Sequence, residues 1–471
     1  MRKITIIIGL LCLTVSILTA QNVRINGSTT NAVGKKIRLF TYTDYISELP
    51  KKLDETIIDA SGKFTLKTSI GDTYYAWLQI DQYKAELYLE PNNEYSITIL
   101  PFDFASDEKI APFMDKRKLQ IEFNNPSLTD LNQLTARFNV IYNDFILTYF
   151  NDLYKRRDKS KLDTLNNKIT KEFQEVNNAY FNNYIKYRIA GIEQMGSLTS
   201  QKKLYQKYIE NKPILYNNIE YMIFFLQFYE KFIFNGNHNV NDTELKHYIN
   251  ETKDYTKLLD SLGVDNYVRN EVVREIVFLQ GMKDIYYSKK YDESGIIEIL
   301  RKFSVKSKFK EHKQIAQNLI ASFNSLNIGS RAPDFKLQDI KGKVYTLNSF
   351  KGKYTYLCFF TTWCGGCMPE VEAIRALKAK YNKDFNFVCI SIDKEIMTLD
   401  FYLQKKKYDW YFLHYGGNIE LLENYSVSTF PIFLLLDQEG NILKYPELKP
   451  SEDIEKTFKE LITPETSEKK E

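Results

Sequence analysis

Cysteine is scarce in this chain, five residues in 471, too few to staple a disulfide-built fold of this size. Histidine is scarcer still. His238, His247, His312 and His414 are the only four, and none is spaced to pair with another as metal ligands. Twelve prolines and 19 glycines leave long stretches without a breaker, so long regular elements are expected. Neither sign of charge dominates: 64 Lys and Arg stand against 60 Asp and Glu, and they alternate along the chain. With no dense arginine patch and no zinc-finger spacing, that balance argues against a nucleic-acid partner. Past the first twenty residues, no apolar run is long enough to span a hydrocarbon core of ~30 Å.

Aromatic residues, by contrast, are abundant, with 34 Tyr and 31 Phe. They accompany many Lys, Asn and Ile and read as core filling in a compositionally biased chain. A hydrophobic content of 44% implies folded cores, and the length suggests about two to four domains. The start of the chain, MRKITIIIGLLCLTVSILTAQ, has basic Arg2 and Lys3, an apolar stretch over residues 4–18, and Ala20 as a cleavage point. This is the layout of a secretory signal peptide, expected over residues 1–20 and removed on export. A retained anchor is the competing reading, but the run is short for it. Cys12 follows Leu11 where a lipidation site needs a small residue, so it belongs to the discarded peptide.

Residues 21–115 look β-rich. In ETIIDASGKFTLKTS, Phe64 and Leu66 alternate with Lys63, Thr65 and Lys67, the period of a half-buried strand. AELYLEPNNEYSITI repeats the plan around a turn at Pro91-Asn92-Asn93. A small antiparallel sandwich is expected. Over residues 120–326 the period changes. Leu131, Leu134, Phe138, Ile141 and Phe145 recur at helical steps, as do Leu162, Leu165, Ile169, Phe173 and Val176. A helical middle domain follows, its apolar faces read as core rather than as a partner groove. The pattern breaks at Asn327-Ile328-Gly329-Ser330, and residues 327–463 alternate strand and helix, which predicts an α/β domain. VYTLNSF, YTYLCFF and FNFVCISID are its strand candidates. TFPIFLLLD and NILKYPE form a closing hairpin, and SEDIEKTFKELI is a final helix with Ser451 as its cap. The charged tail at 464–471 is expected to be disordered. The fold class is therefore multidomain α+β: a sandwich-like start, a helical middle and a C-terminal α/β unit.

The chemistry concentrates in TTWCGGCMPE, residues 361–370. A strand ends near Thr361-Thr362 and a helix begins at the cysteines. Free amides and the helix dipole at that point stabilise a thiolate. Cys364 lies at the turn and reaches solvent, while Cys367 lies one turn in and is more buried. Cys364 is thus the attacking sulfur and Cys367 the resolving one. Glu370 falls on the same helix face as Cys367 and either exchanges protons with it or is an ordinary solvated glutamate. A lone CxxC offers zinc two ligands where it usually needs four. A passive staple over so short a loop would stabilise little. A peroxide-reducing PxxxTxxC pattern fails because Leu357 stands where proline is required. No metal or other cofactor is expected.

The C-terminal stretch resembles the thioredoxin superfamily. Its envelope branch, the TlpA/ResA-like thiol-disulfide oxidoreductases, is matched by IGSRAPDFKLQDIKGKVYTLNSFKGKYTYLCFF, TTWCGGCMPE and YSVSTFPIFLLLDQEGNIL. The resemblance implies a thioredoxin fold in which Pro431, after Phe430, is a cis proline facing the disulfide. It also implies that Trp363 and Phe430 bind substrate and that Glu370 is the family's CxxCxxE acid. Cys358 stands where thioredoxins carry a buried Asp, and Gly365-Gly366 replaces Gly-Pro between the cysteines. Cys358 and Cys389 read as small buried core residues rather than a second disulfide. The upstream β-rich segment loosely resembles N-terminal modules of some bacterial envelope proteins. The expected function is an exported protein-disulfide reductase of the periplasm or cell envelope. Its substrates would be disulfide-bearing envelope proteins or, through the resemblance alone, apocytochrome c, and a membrane electron donor would re-reduce it. A disulfide oxidase or isomerase using the same site, and a partner-binding module with an auxiliary redox site, are the alternatives.

Overall fold

The computed structural model describes residues 21–104, 110–236, 240–286, 288, 290–324, 326 and 328–463. The expected signal peptide with Cys12, the charged tail and His238 lie outside the described residues.

Eight strands come first: β1 Gln21–Ser28, β2 Lys36–Tyr42, β3 Pro50–Ile57, β4 Lys63–Ile70, β5 Tyr74–Ile80, β6 Tyr83–Leu89, β7 Glu94–Ile99 and β8 Ile121–Phe123. They form two four-stranded sheets, ordered β4-β1-β7-β8 and β3-β2-β5-β6. One apolar cluster, including Ile25, Leu39, Leu66, Leu78, Leu87 and Ile97, draws on both. The alternation expected around Phe64 and Leu66 is present in β4, where both are buried between exposed Lys63, Thr65 and Lys67. The expectation of a purely antiparallel arrangement is corrected at one pairing, because β1 and β7 run parallel. The chain has crossed to the second sheet and back twice between them, so no hairpin links the two.

Helices fill the next stretch, beginning with Leu131–Phe150, whose first amides at Asn132 and Gln133 donate to the Asp130 side chain. Leu131, Leu134, Phe138, Phe145, Leu162, Leu165, Ile169 and Phe173 share one apolar cluster, with Ile141 and Val176 at its margin. That helix joins the edge of β6 through Asn132, which accepts the Tyr88 N–H at 2.6 Å and donates to the Tyr88 carbonyl at 3.0 Å. The side-chain amide thus satisfies backbone groups that a further strand would otherwise pair. A second, larger cluster spans the helices Ile219–Phe228, Glu271–Tyr286, Glu293–Lys306 and Lys310–Asn324. At its edge, fully buried His312 contacts the Glu275 carboxylate through Nδ1 at 2.8 Å and the Tyr216 hydroxyl through Nε2 at 2.8 Å.

The last stretch carries a seven-stranded sheet in the order β10-β9-β13-β12-β11-β14-β15. These are β9 Lys336–Gln338, β10 Val344–Thr346, β11 Tyr354–Phe360, β12 Phe385–Ser391, β13 Tyr411–His414, β14 Ile432–Leu436 and β15 Ile442–Lys444. β11, β12 and β13 are parallel neighbours, and β14 and β15 close the sheet as the expected antiparallel hairpin. Two expectations are corrected. Only Val344–Thr346 of VYTLNSF is strand, because Leu347–Phe350 turns as a 3₁₀ helix. The final helix is Ile454–Ile462 with Asp453 before it, so Ser451 does not cap it. The β3-β2-β5-β6 sheet meets this part through β2 and β5: Arg38 approaches Glu423 at 3.6 Å, and Gln79 donates to the same carboxylate at 2.7 Å.

Candidate functional site

β11 is buried along nearly its whole length, inside the seven-stranded sheet between β12 and β14. An apolar strand covered on both faces cannot slide without exposing half its side chains, so its carboxyl end is a rigid place to mount a loop. Thr361 and Thr362 leave that end, and the helix Cys367–Tyr381 begins five residues on. Between them, the Cys364 N–H donates to the Thr361 carbonyl at 3.3 Å and the Cys367 N–H to the Cys364 carbonyl at 3.0 Å. Cys364 and Cys367 are joined as a disulfide, Cα to Cα 5.2 Å. Cys364 is partly exposed and Cys367 fully buried, the asymmetry expected of an attacking and a resolving sulfur. The Cys367 amide also points at the Cys364 sulfur, 3.2 Å away, and would stabilise negative charge there. Gly365 and Gly366 have open space where a Cβ would stand, and Gly366 has φ −74°. Neither close packing nor Gly366's backbone angle requires the glycines there.

A residue that sequence reasoning did not single out holds this loop. Asp393, buried just beyond β12, accepts the Thr362 N–H at 3.0 Å and the Thr362 hydroxyl at 2.9 Å. Its other oxygen takes the Ser391 hydroxyl at 2.5 Å, and its backbone carbonyl accepts from His414 Nε2 at 2.6 Å. Burial pulls the His414 imidazole below its ordinary pKa, against the pull of that Asp393 carbonyl. The carboxyl ends of three adjacent parallel strands thus meet under the disulfide loop, the end of such a sheet where sites commonly form. The available signal was a Ser and an Asp closing the apolar run FNFVCISID. Asp393→Ala strands the part-buried N–H and hydroxyl of Thr362 and the buried Ser391 hydroxyl, and a loss of about 1–3 kcal/mol is expected. Faster native-state hydrogen exchange at the Thr362 amide is the reading that checks it.

Glu370 is one turn past Cys367, but its carboxylate is engaged elsewhere. It accepts the Ser451 hydroxyl at 2.6 Å and the Ser451 N–H at 3.1 Å. The serine expected to cap the last helix is therefore the partner of the expected proton-relay acid. Glu370 still acts beneath the loop. Burial pushes the Cys358 thiol well above the usual thiol range, with a hydrogen bond to Cys389 and the negative charge of Glu370 adding to the rise. Cys358 and Cys389 are directly opposite each other on β11 and β12, both free and fully buried, as expected of core residues. Trp410 donates to the Cys389 sulfur at 3.4 Å.

The Phe430–Pro431 peptide bond is cis, as the resemblance implied, and precedes β14. Phe430 packs against the apolar cluster that contains Cys367. Trp363 is partly exposed, with its indole Nε1 buried and without a hydrogen-bond partner.

Comparison with known proteins places this geometry. The Redoxin family profile matches residues 327–461. The thiol-disulfide oxidoreductase ResA of Bacillus subtilis is 30% identical over 159 residues, covering 32% of this chain and 84% of that protein. A ResA of Bacillus cereus is 28% identical over 152 residues, covering 31% and 86%. Among solved structures, the thioredoxin domain of a thiol-disulfide oxidoreductase from Bacteroides vulgatus is 27% identical and covers 29% of this chain and 99% of that one, at a TM-score of 0.27. A thiol-disulfide oxidoreductase from Bacteroides fragilis is 26% identical, covering 28% and 100%, at a TM-score of 0.26. A CxxC disulfide at a helix start, on a stretch that aligns with most of the ResA sequence, makes the chain a member of the ResA/TlpA-like branch of the thioredoxin superfamily and a thiol-disulfide oxidoreductase.

Proposed function

We propose that the protein reduces disulfides of other envelope proteins through Cys364 and Cys367. The carrying observation is the Cys367 amide aimed at the partly exposed Cys364 sulfur. As a thiolate, Cys364 attacks one sulfur of a substrate disulfide; a mixed disulfide forms and the second substrate sulfur leaves as thiolate. Cys367 then loses its proton and attacks Cys364. The substrate departs as a dithiol and the chain keeps the two-electron-oxidised pair. Glu370 accepts the Cys367 proton, and its bonds to Ser451 loosen for that step. Phe430 and Trp363 hold the substrate segment beside the sulfurs, with Pro431 fixing the loop that carries Phe430. A membrane electron donor restores the dithiol.

The signal peptide over residues 1–20 delivers the chain to the periplasm or cell envelope, where such disulfides persist. Apocytochrome c is one substrate the family membership suggests. The chain is organised as residues 21–115, 120–326 and 327–463, a division supported by the largely separate apolar clusters of the three stretches.

The test is the reduction potential of the Cys364–Cys367 couple, titrated against dithiothreitol and glutathione. A value near −270 mV, about that of thioredoxin, is expected of a reductant. A value near about −120 mV would make it a disulfide-installing oxidant and overturn the reductive direction.

A further inference from the structure

Phe430 has an aromatic neighbour that comes from far upstream. The ring of Phe113 lies 5.0 Å from that of Phe430, centroid to centroid, with the planes inclined by 60°. Phe113 sits in the short turn Pro112–Met114, between β7 and β8. Phe430 packs both against the cluster containing Cys367 and against the neighbouring cluster that Phe113 joins. A single side chain therefore stands between Phe113 and the apolar surroundings of the redox pair.

The turn is anchored on both sides. Pro112 is buried, and the Met114 N–H donates to the Ala111 carbonyl at 2.8 Å. The Asp115 carboxylate accepts the Tyr83 hydroxyl at 2.9 Å and the Arg117 guanidinium at 2.6 Å. Across the same junction, Arg38 and Gln79 reach Glu423 in the helix Ile419–Asn424. Side chains fixed in this way meet a partner with little further loss of freedom. Beside Phe113, Met114 is 62% exposed and Ile110 41% exposed. Apolar side chains are thus offered to solvent in the turn whose Phe113 meets Phe430.

We propose that Phe113 is a specificity-determining residue of the thiol–disulfide exchange, extending the substrate surface of Phe430 with apolar area supplied by the β-rich segment. The occupant is a disulfide-bearing polypeptide whose residues flanking the reacting cysteine are apolar; it lies across Phe430, Phe113 and Met114 while Cys364 exchanges. The inference rests on the reading of Cys364 as the attacking sulfur, and the electron balance is that of the exchange given above. A small aromatic disulfide reaches the sulfur without touching Phe113, whereas a protein segment does not.

The experiment uses the full chain and two oxidised substrates, insulin and 5,5′-dithiobis(2-nitrobenzoate). For Phe113→Ala, the ratio of kcat/KM for insulin to that for the small disulfide is expected to fall by about threefold or more, the loss residing in the insulin KM. Phe113→Leu, which keeps an apolar side chain there, is expected to recover at least about half of that ratio. A smaller change in the alanine variant, a rise in the ratio, or no recovery by leucine would overturn the assignment. Failure of the wild-type chain to turn over even the small disulfide would instead remove the underlying redox reading, and this inference with it.

Discussion

Cys364→Ser is expected to lower insulin-disulfide reduction by at least about a thousandfold, because no other sulfur of the loop is both exposed and aligned with a helix amide. Cys367 is fully buried beneath it and has no path to a protein disulfide. Serine nearly preserves the volume, so the fold should survive the change. The reciprocal variant separates the two roles. In Cys367→Ser the first attack proceeds and nothing resolves it, so a covalent adduct with the substrate accumulates and is visible on a non-reducing gel. Full activity in Cys364→Ser would sink the assignment. An adduct formed by Cys364→Ser and not by Cys367→Ser would reverse the roles.

The largest expected effect on stability lies far from the disulfide. His312→Ala removes the partner of Nδ1 and Nε2 contacts and leaves the buried Glu275 carboxylate with the Ser307 hydroxyl, which donates to it at 2.6 Å. A buried carboxylate left with one hydroxyl donor carries a desolvation penalty that this single bond offsets only in part, and a cost of about 3 kcal/mol is expected. The cost should appear in the helical stretch as earlier denaturant unfolding and faster amide exchange in the helices Glu271–Tyr286 and Lys310–Asn324. Insulin reduction should persist at temperatures where the variant is folded, since the helix that carries His312 packs its apolar side chains in a different cluster from the one around the redox pair. Unchanged unfolding would mean that the three side chains contribute nothing beyond packing.

How much of this can be read from the chain alone depends on the range of each interaction. β11 is legible because YTYLCFF is apolar at nearly every position, which only a strand buried on both faces tolerates. The cysteine pair is legible because its spacing is itself the chemistry. The helices around Leu134 and Leu165 are legible because their apolar residues repeat along one face. β13 escapes sequence reasoning, and so does the helix Ile396–Lys406. That helix begins after Glu395 with no side-chain cap, and DWYFLH packs three aromatics into a four-residue strand and its approach. The parallel partnership of β1 and β7 is out of reach because the second sheet intervenes in sequence. Asp393 is hidden for the same reason: the donor it serves, Thr362, lies 31 residues earlier, and no local pattern announces a bond across that gap. Glu370 stands out locally, yet its partner does not. Its helix-face position points to Cys367, while the serine that holds it comes from 81 residues away. Function-bearing residue types are visible locally, whereas the polar partners that orient them are set by folding.

The pairing of Cys358 with Cys389 has a practical consequence for anyone counting thiols. Both sulfurs lie on adjacent strands with no exposed surface, so neither is open to an alkylating reagent in the native protein, and burial also pushes the Cys358 thiol well above the usual thiol range. Among the described residues, mass labelling without denaturant therefore registers Cys364 alone, which is free only when its bond to Cys367 is reduced, and the folded wild-type protein reports its own oxidation state.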